Sequence, residues 1–376
     1  MKNTTQRAEM NTLGKLILKT LSVSLLSVSL LACSAVQHHK TTAYHTKAQP
    51  FATLPDGLAF PEGIAANPST GDIYVSTFSF AGSNTVLRYD KTGKLLAQID
   101  FAKTPLLGLA FNSADQMVYI CNTGDLVGDK SRIQRVAGDF SADSTVEDVA
   151  AIPHIGAPGP RTVNNPDGSK DTIAFGDNAA APNAMAFNKA GDLFISDSFQ
   201  GAVFKIGNPA NYKKECDVAT IIHDSLLATP GFPPFGANGL ALNADESTLF
   251  IANTGDDRIL SLDMATGELS VFAESINGAD GLAMDAHGYL WVVANQADKI
   301  VMLEPTGKVH GKLGMPGRVN KDGSHSGLLF PASLVIAGDT IYVTNLALPL
   351  TPAQADEVEE AVGKYTVSAI KIPMHK

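Results

Sequence analysis

The sequence predicts an all-β protein: a six-bladed β-propeller of four-stranded blades, with one short helix in the last blade. Three observations predict it. A strand of small residues, a polar turn and a strongly apolar strand recur six times along the chain. The copies begin at Glu62, Leu107, Asn183, Asn238, Asp280 and Ala332, at spacings of 45, 76, 55, 42 and 52 residues. Most of these match the period of roughly 40–50 residues expected of propeller blades. After several copies a further aliphatic strand, a Gly-containing turn and a returning strand complete a four-stranded unit.

The N-terminus reads as an address. Lys15 and Lys19 precede an apolar run over residues 21–31 that only serines interrupt. The run is too short to span a bilayer and has the shape of a signal peptide. It ends in Leu30-Leu31-Ala32-Cys33, which resembles the bacterial lipoprotein lipobox. Residues 1–33 are therefore expected to be a lipoprotein-type signal peptide, with Cys33 lipidated and the protein held in the bacterial envelope or periplasm. The alternative is an ordinary secretory signal with an incidental Cys, and Met10 is an alternative start. Export places the chain in an oxidising compartment, where Cys121 and Cys216 remain. Cys121 lies in an apolar strand and reads as a buried free thiol rather than as half of a bridge.

Residues 34–50, with His38, His39 and His45, are polar and without apolar period, and read as a tether. The propeller is assigned to residues 51–376. Blade 1 runs from Pro61-Glu62-Gly63-Ile64-Ala65 through Asp72-Ile73-Tyr74-Val75-Ser76 to Thr85-Val86-Leu87-Arg88-Tyr89 and Leu95-Leu96-Ala97-Gln98-Ile99. Blade 4 repeats the outer pair as Arg258-Ile259-Leu260-Ser261-Leu262 and Glu268-Leu269-Ser270-Val271-Phe272, and blade 5 as Lys299-Ile300-Val301-Met302-Leu303 and Lys308-Val309-His310. The long interval before Asn183 holds an insertion over residues 161–178 with Asn164-Asn165-Pro166-Asp167-Gly168-Ser169, echoed by Val319-Asn320-Lys321-Asp322-Gly323-Ser324. Both read as turns, since neither has the spacing of an EF-hand loop. Residues 351–362 are the one helix candidate, with Thr351 as N-cap and Pro352 at N1. The segment near residues 51–58 is expected to supply the last outer strand and close the ring, which leaves no open sheet edge. A monomer is expected.

Composition narrows function. Of 376 residues 44% are hydrophobic and 18% charged, with a formal net charge of −10. An acidic chain with no Lys/Arg run argues against nucleic acid and against anionic membrane surfaces, leaving the N-terminal anchor as the membrane contact. It suits a site that concentrates a cation. In a propeller, equivalent inner-strand positions form a ring at the axis, so Glu62, Asn183, Asn238 and Asp280 are expected to meet at one mouth. Two carboxylates and two amide oxygens form a hard-oxygen set that suits Ca²⁺ or another divalent cation, and buried carboxylates without partners are costly. The alternative is that Asn-Gly and Asp-Gly merely begin strands.

Pro61-Glu62-Gly63, Asn183, Asn238-Gly239-Leu240-Ala241 and Asp280-Gly281-Leu282-Ala283-Met284-Asp285 together make the chain resemble the senescence-marker-protein/gluconolactonase/luciferin-regenerating family of six-bladed calcium propellers. The resemblance implies a divalent cation, usually Ca²⁺, on Glu62, Asn183, Asn238 and Asp280, and hydrolysis of lactones, esters or phosphotriesters. Pro182-Asn183-Ala184-Met185 keeps only the Asn of the third-blade Asn-Asp-Gly seen in gluconolactonases, which weakens the sugar-lactone assignment. From the residues themselves, Asp280 is a candidate nucleophile or water-orienting base, Glu62 joins it as a catalytic candidate, and His325 is a candidate proton shuttle. Gly231-Phe232-Pro233-Pro234-Phe235-Gly236 and Leu328-Leu329-Phe330-Pro331 read as an apolar entrance favouring an apolar lactone or ester, or else as local packing. The rival function is a non-catalytic propeller lipoprotein that binds a protein or a sugar.

Overall fold

The computed structural model describes residues 42–43, 46–126, 130–176, 179–212, 214–315, 317–351, 353 and 356–372. They form six antiparallel sheets of four principal strands, the predicted six-bladed propeller. In chain order the inner strands are Pro61–Ala66, Leu106–Asn112, Pro182–Phe187, Ala237–Leu242, Ala279–Met284 and Pro331–Ala337. Each is followed by the second strand of its blade: Ile73–Thr77, Met117–Asn122, Leu193–Asp197, Thr248–Asn253, Leu290–Ala294 and Thr340–Asn345.

A polar side chain closes five of the six inner hairpins. Asn67, Asn112, Asn188, Asn243 and Asp285 each stand five residues beyond their blade's axial position. Each accepts a backbone N–H from its own turn or from the strand that follows. Blade 6 has Ala337 there and turns on Gly338, whose φ of 60° suits a residue without Cβ. The second strands lie between neighbouring blades and are buried on both faces, as in Ile73–Thr77, Leu193–Asp197 and Leu290–Ala294. That is why they read as continuous apolar runs. Outer strands such as Leu95–Asp100 cover one face only and are mostly exposed.

Gln49–Thr53 pairs antiparallel with Thr366–Lys371, Gln49 opposite Ala369 and Thr53 opposite Thr366. The ring is thus closed by strands from both ends of the chain, as expected, but the propeller begins two residues earlier than residue 51. The stretch expected to be a tether is also partly structured, because Thr42–Ala43 pairs parallel with the outer strand Val309–Leu313 of blade 5. Cys33 and the remainder of residues 1–41 lie outside the described residues, as does His45.

The insertion forms a two-stranded hairpin, Arg161–Asn164 with Lys170–Ile173, and its echo forms another, Arg318–Val319 with His325–Ser326. Both turns have the same wiring. Asp167 and Asp322 spend an oxygen on the N–H of Ser169 and Ser324. The helix expected over residues 351–362 is reduced, among the described residues, to a single 3-10 turn at Val358–Ala361. Asp356 accepts from the Thr351 hydroxyl and Glu357 accepts the N–H of Leu350 and Thr351. Cys121 and Cys216 are both free and buried.

Candidate cation site at the propeller axis

All six inner hairpins share one irregularity. Pairing begins at Pro61, Leu106, Pro182, Ala237, Ala279 and Pro331, then slips by one residue and resumes at Ile64, Leu109, Met185, Leu240, Leu282 and Leu334. A bulge of this kind re-aims the extra residue. The residues inside the slip are the ones singled out by the repeat: Glu62, Leu107, Asn183, Asn238, Asp280 and Ala332. The position after each must be small, because the inner strands nearly touch there. A Cβ on Gly63 would lie 2.3 Å from the Leu107 carbonyl oxygen, and one on Gly239 would lie 2.3 Å from that of Asp280. Hydroxyls stitch the blades together at this level. Ser76 accepts from Gly63 N at 2.9 Å and donates to Leu107 O at 2.6 Å; Thr344 accepts from Ser333 N at 3.0 Å and donates to Glu62 O at 2.6 Å.

Glu62, Asn183, Asn238 and Asp280 line one cavity of about 380 Å³, counting the part that opens to solvent. Thr254 and Asn295 join them, and sequence reasoning missed both, together with Ser198. Their signal was present. Ser198, Thr254 and Asn295 each follow the last residue of the second strand of their blade, 15 or 16 residues after the axial residue they support. Asn183 Nδ2 donates to Ser198 Oγ at 2.8 Å, Asn238 Nδ2 to Thr254 Oγ1 at 2.9 Å, and Asn295 Nδ2 to Asp280 Oδ2 at 3.1 Å. The Ser198 and Thr254 hydroxyls spend their own protons on the carbonyls of Ala237 and Ala279, both at 2.7 Å. Each hydroxyl can therefore only accept from its Asn, which fixes the amide nitrogen against it and turns the amide oxygen to the other side.

Blade 1 departs from this pattern. The residue after its second strand is Phe78, so Glu62 has no polar support from that position. Glu62 Oε2 and Asp280 Oδ1 are buried without a hydrogen-bond partner. Burial and the neighbouring Asp280 charge push the Glu62 carboxyl well above the usual range. Burial raises Asp280 to about 7, against the opposing pull of the Asn295 and Asn238 amides. Asp197 shows what a structural buried acid looks like in this protein. It accepts from the backbone of Ala181, Phe199 and Gln200 and from the Gln200 side chain.

Two unpartnered carboxylate oxygens beside two oriented amides fit a hard divalent cation. Among the described residues no three of His, Cys, Asp and Glu gather as a metal group, so a soft-metal centre of that composition is not built here. The structure does not bring His325 to this cavity. It is buried in the second hairpin with Nε2 3.0 Å from Thr366 Oγ1, and burial pushes its pKa down to about 4.

Above the polar floor the wall is apolar. Pro233, Phe235 and Phe330 of the two predicted entrance loops line it, whereas Leu328 and Leu329 are packed in the core. Phe78, Leu346, Leu348 and Leu350 complete the wall and were not anticipated.

The family model described as SMP-30/Gluconolactonase/LRE-like region matches residues 232–321, which include Asn238 and Asp280. No curated protein matches the chain at a significant level. Among solved structures, a calcium-binding regucalcin from Agrobacterium tumefaciens strain C58 is similar, with a TM-score of 0.58 and 14% identity over 89% of this chain and 98% of that one. A luciferin-regenerating enzyme gives 0.57 and 15% identity over 84% and 92%. A gluconolactonase from Xanthomonas campestris gives 0.53 and 14% identity over 90% and 99%. At these identities the likeness is one of fold.

Proposed function

We propose that this chain is a divalent-cation-dependent hydrolase of lactones, esters or phosphotriesters. The observation that carries the reading is the pair of unpartnered carboxylate oxygens, Glu62 Oε2 and Asp280 Oδ1, in a cavity they share with the amides of Asn183 and Asn238. The match of residues 232–321 to the gluconolactonase-like region and the calcium-binding description of the regucalcin support it. Glu62, Asn183, Asn238 and Asp280 would hold the cation, Ca²⁺ first among candidates, which when bound supplies Lewis-acid polarisation of a carbonyl or phosphoryl oxygen.

The chain's own residues supply the rest. Ser198 and Thr254 hold the amides of Asn183 and Asn238 in one orientation, so their oxygens need no reorganisation. Asn295 holds Asp280 by Oδ2 and leaves Oδ1 free to orient or deprotonate a water, or to attack as a nucleophile. Glu62, raised by burial, is able to hold or release a proton at Oε2. The apolar wall limits the water that reaches the reacting atoms once a substrate is seated.

The deciding measurement is cation content of the purified protein together with lactone and aryl-ester turnover, with and without a chelator. Stoichiometric Ca²⁺ and chelator-sensitive turnover, lost in Asp280→Asn, are expected. One observation favours the rival reading of a non-catalytic binding module: Phe80 and Phe232 are 64% and 59% exposed beside residues that line the cavity. Absence of bound metal at saturating Ca²⁺ would support that module. We further propose export and lipid anchoring through Cys33, on the lipobox-like sequence. A Cys33→Ser variant that stayed in the membrane fraction would refute the anchor.

A further inference from the structure

We infer that the cavity selects lactones or esters carrying an extended apolar tail and rejects polyhydroxylated sugar lactones. This rests on the hydrolase reading for the chemistry at the floor and on the wall for its own support. Leu346, Leu348 and Leu350 leave the second strand of blade 6 and gather in one cluster with Phe330. Leu348 and Leu350 are only half-buried, so part of their apolar surface faces the cavity without protein cover. Phe78 and Phe235, whose ring centroids lie 6.2 Å apart edge-to-face, extend the wall.

No Lys, Arg, His or Tyr lines the cavity among the described residues. The polar groups that do are two acids and four residues that each already donate one bond to a protein acceptor. Asn183 and Asn238 donate to hydroxyls, Thr254 to a carbonyl and Asn295 to Asp280. A sugar lactone seated on the floor would press its ring hydroxyls against leucine and phenylalanine. A hydroxyl that leaves water without a partner weakens binding on the order of tenfold. An alkyl tail in the same place covers apolar surface and gains about fourfold per methylene. Leu348 and Leu350 are therefore specificity-determining residues, and the floor is indifferent to the tail.

The test uses Ca²⁺-loaded full-length protein and γ-lactones with n-alkyl tails from methyl to hexyl, beside glucono-1,5-lactone. Binding is read by ligand-induced thermal shift and turnover by acid release. Affinity is expected to rise about fourfold per methylene until the wall is filled. Leu348→Ser and Leu350→Ser should flatten that rise. Binding of gluconolactone as tight as that of the hexyl lactone, or no dependence on tail length, would overturn the inference. Tail-dependent binding with no turnover of any lactone would uphold apolar selection and refute the hydrolase reading, so the two failures are separable.

Discussion

Asp280→Asn should change the sign of its effect on stability with the presence of the cation. In the cation-free protein the Asp280 carboxylate is buried, 5% exposed, near the Glu62 carboxyl, and its pKa is raised to about 7 from an ordinary value near 3.8. A group whose folded pKa lies above its unfolded one favours the fold only while protonated. That stability is complete below about pH 4 and is lost as pH rises toward and through 7. About three pH units correspond to a ceiling of about 4 kcal/mol once the group is fully ionised. The penalty is shared with Glu62 and relieved by water at the open cavity, so about 2 kcal/mol is expected to remain at pH 8.

Asn has the same shape, keeps an oxygen for the Asn295 amide and carries no charge. In chelator at pH 8, Asp280→Asn should therefore be more stable than the parent by about 2 kcal/mol, and the difference should vanish near pH 4. In saturating Ca²⁺ the order should reverse, because the lost charge is then a lost ligand. Urea denaturation of both proteins at the two pH values, with and without Ca²⁺, reads all of this. The comparison cancels the surface carboxylates common to both proteins. A variant less stable than the parent in chelator at pH 8, or an effect of one sign throughout, would refute a cation role for Asp280.

Three further outcomes follow. Asn295→Ala removes the Asp280 Oδ2 partner, and cation affinity measured by titration calorimetry should fall about 10–100-fold. Gly239→Ala forces a Cβ to within 2.3 Å of the Asp280 carbonyl oxygen, so a loss of about 1–3 kcal/mol in denaturant unfolding is expected. Tolerance without loss would show that the inner strands can spread. His325 is buried with its pKa pushed down to about 4, so the unfolded chain takes the proton first and stability falls as pH drops from about 6.5 to 4. His325→Gln should flatten that acid limb and leave turnover unchanged; a loss of turnover in a folded His325→Gln protein would return the residue to the mechanism.

The propeller was legible because its signal is periodic and carried by burial. Second strands such as Leu290–Ala294 are covered on both faces and can only be apolar. The four axial polar residues were legible as departures from that repeat. What escaped was set by contacts that no local pattern announces. Asn295 lies in the repeat at the same place as Ser198 and Thr254, but three different residue types do not look like one position until their shared partner geometry is seen. Leu346, Leu348 and Leu350 lie outside the repeat and form a wall because Phe330 packs beside them. His325 looked available in a Gly-Ser-rich loop, yet that loop is a hairpin whose turn is bonded to itself and whose His faces Thr366.

A propeller gives six blades the same backbone, so a site arises only where equivalent positions differ. Two levels of positions meet at this axis. The upper level, just past the second strands, is polar from blade 2 to blade 5, at Thr123, Ser198, Thr254 and Asn295, and apolar in blades 6 and 1, at Leu346 and Phe78. The lower level is polar in blades 1, 3, 4 and 5. Blades 3, 4 and 5 are polar at both levels, and there each lower residue is held by the upper one. Blade 1 alone combines an acid at the lower level with an aromatic residue at the upper level. Glu62 is thus the one floor group whose own blade offers it no polar support from the upper level. On the proposed hydrolase reading the two sides would divide the labour: Asn183, Asn238 and Asp280, each bonded to a polar neighbour, would fix the cation, and Glu62, a ligand without such support, would be the acid able to take or release a proton.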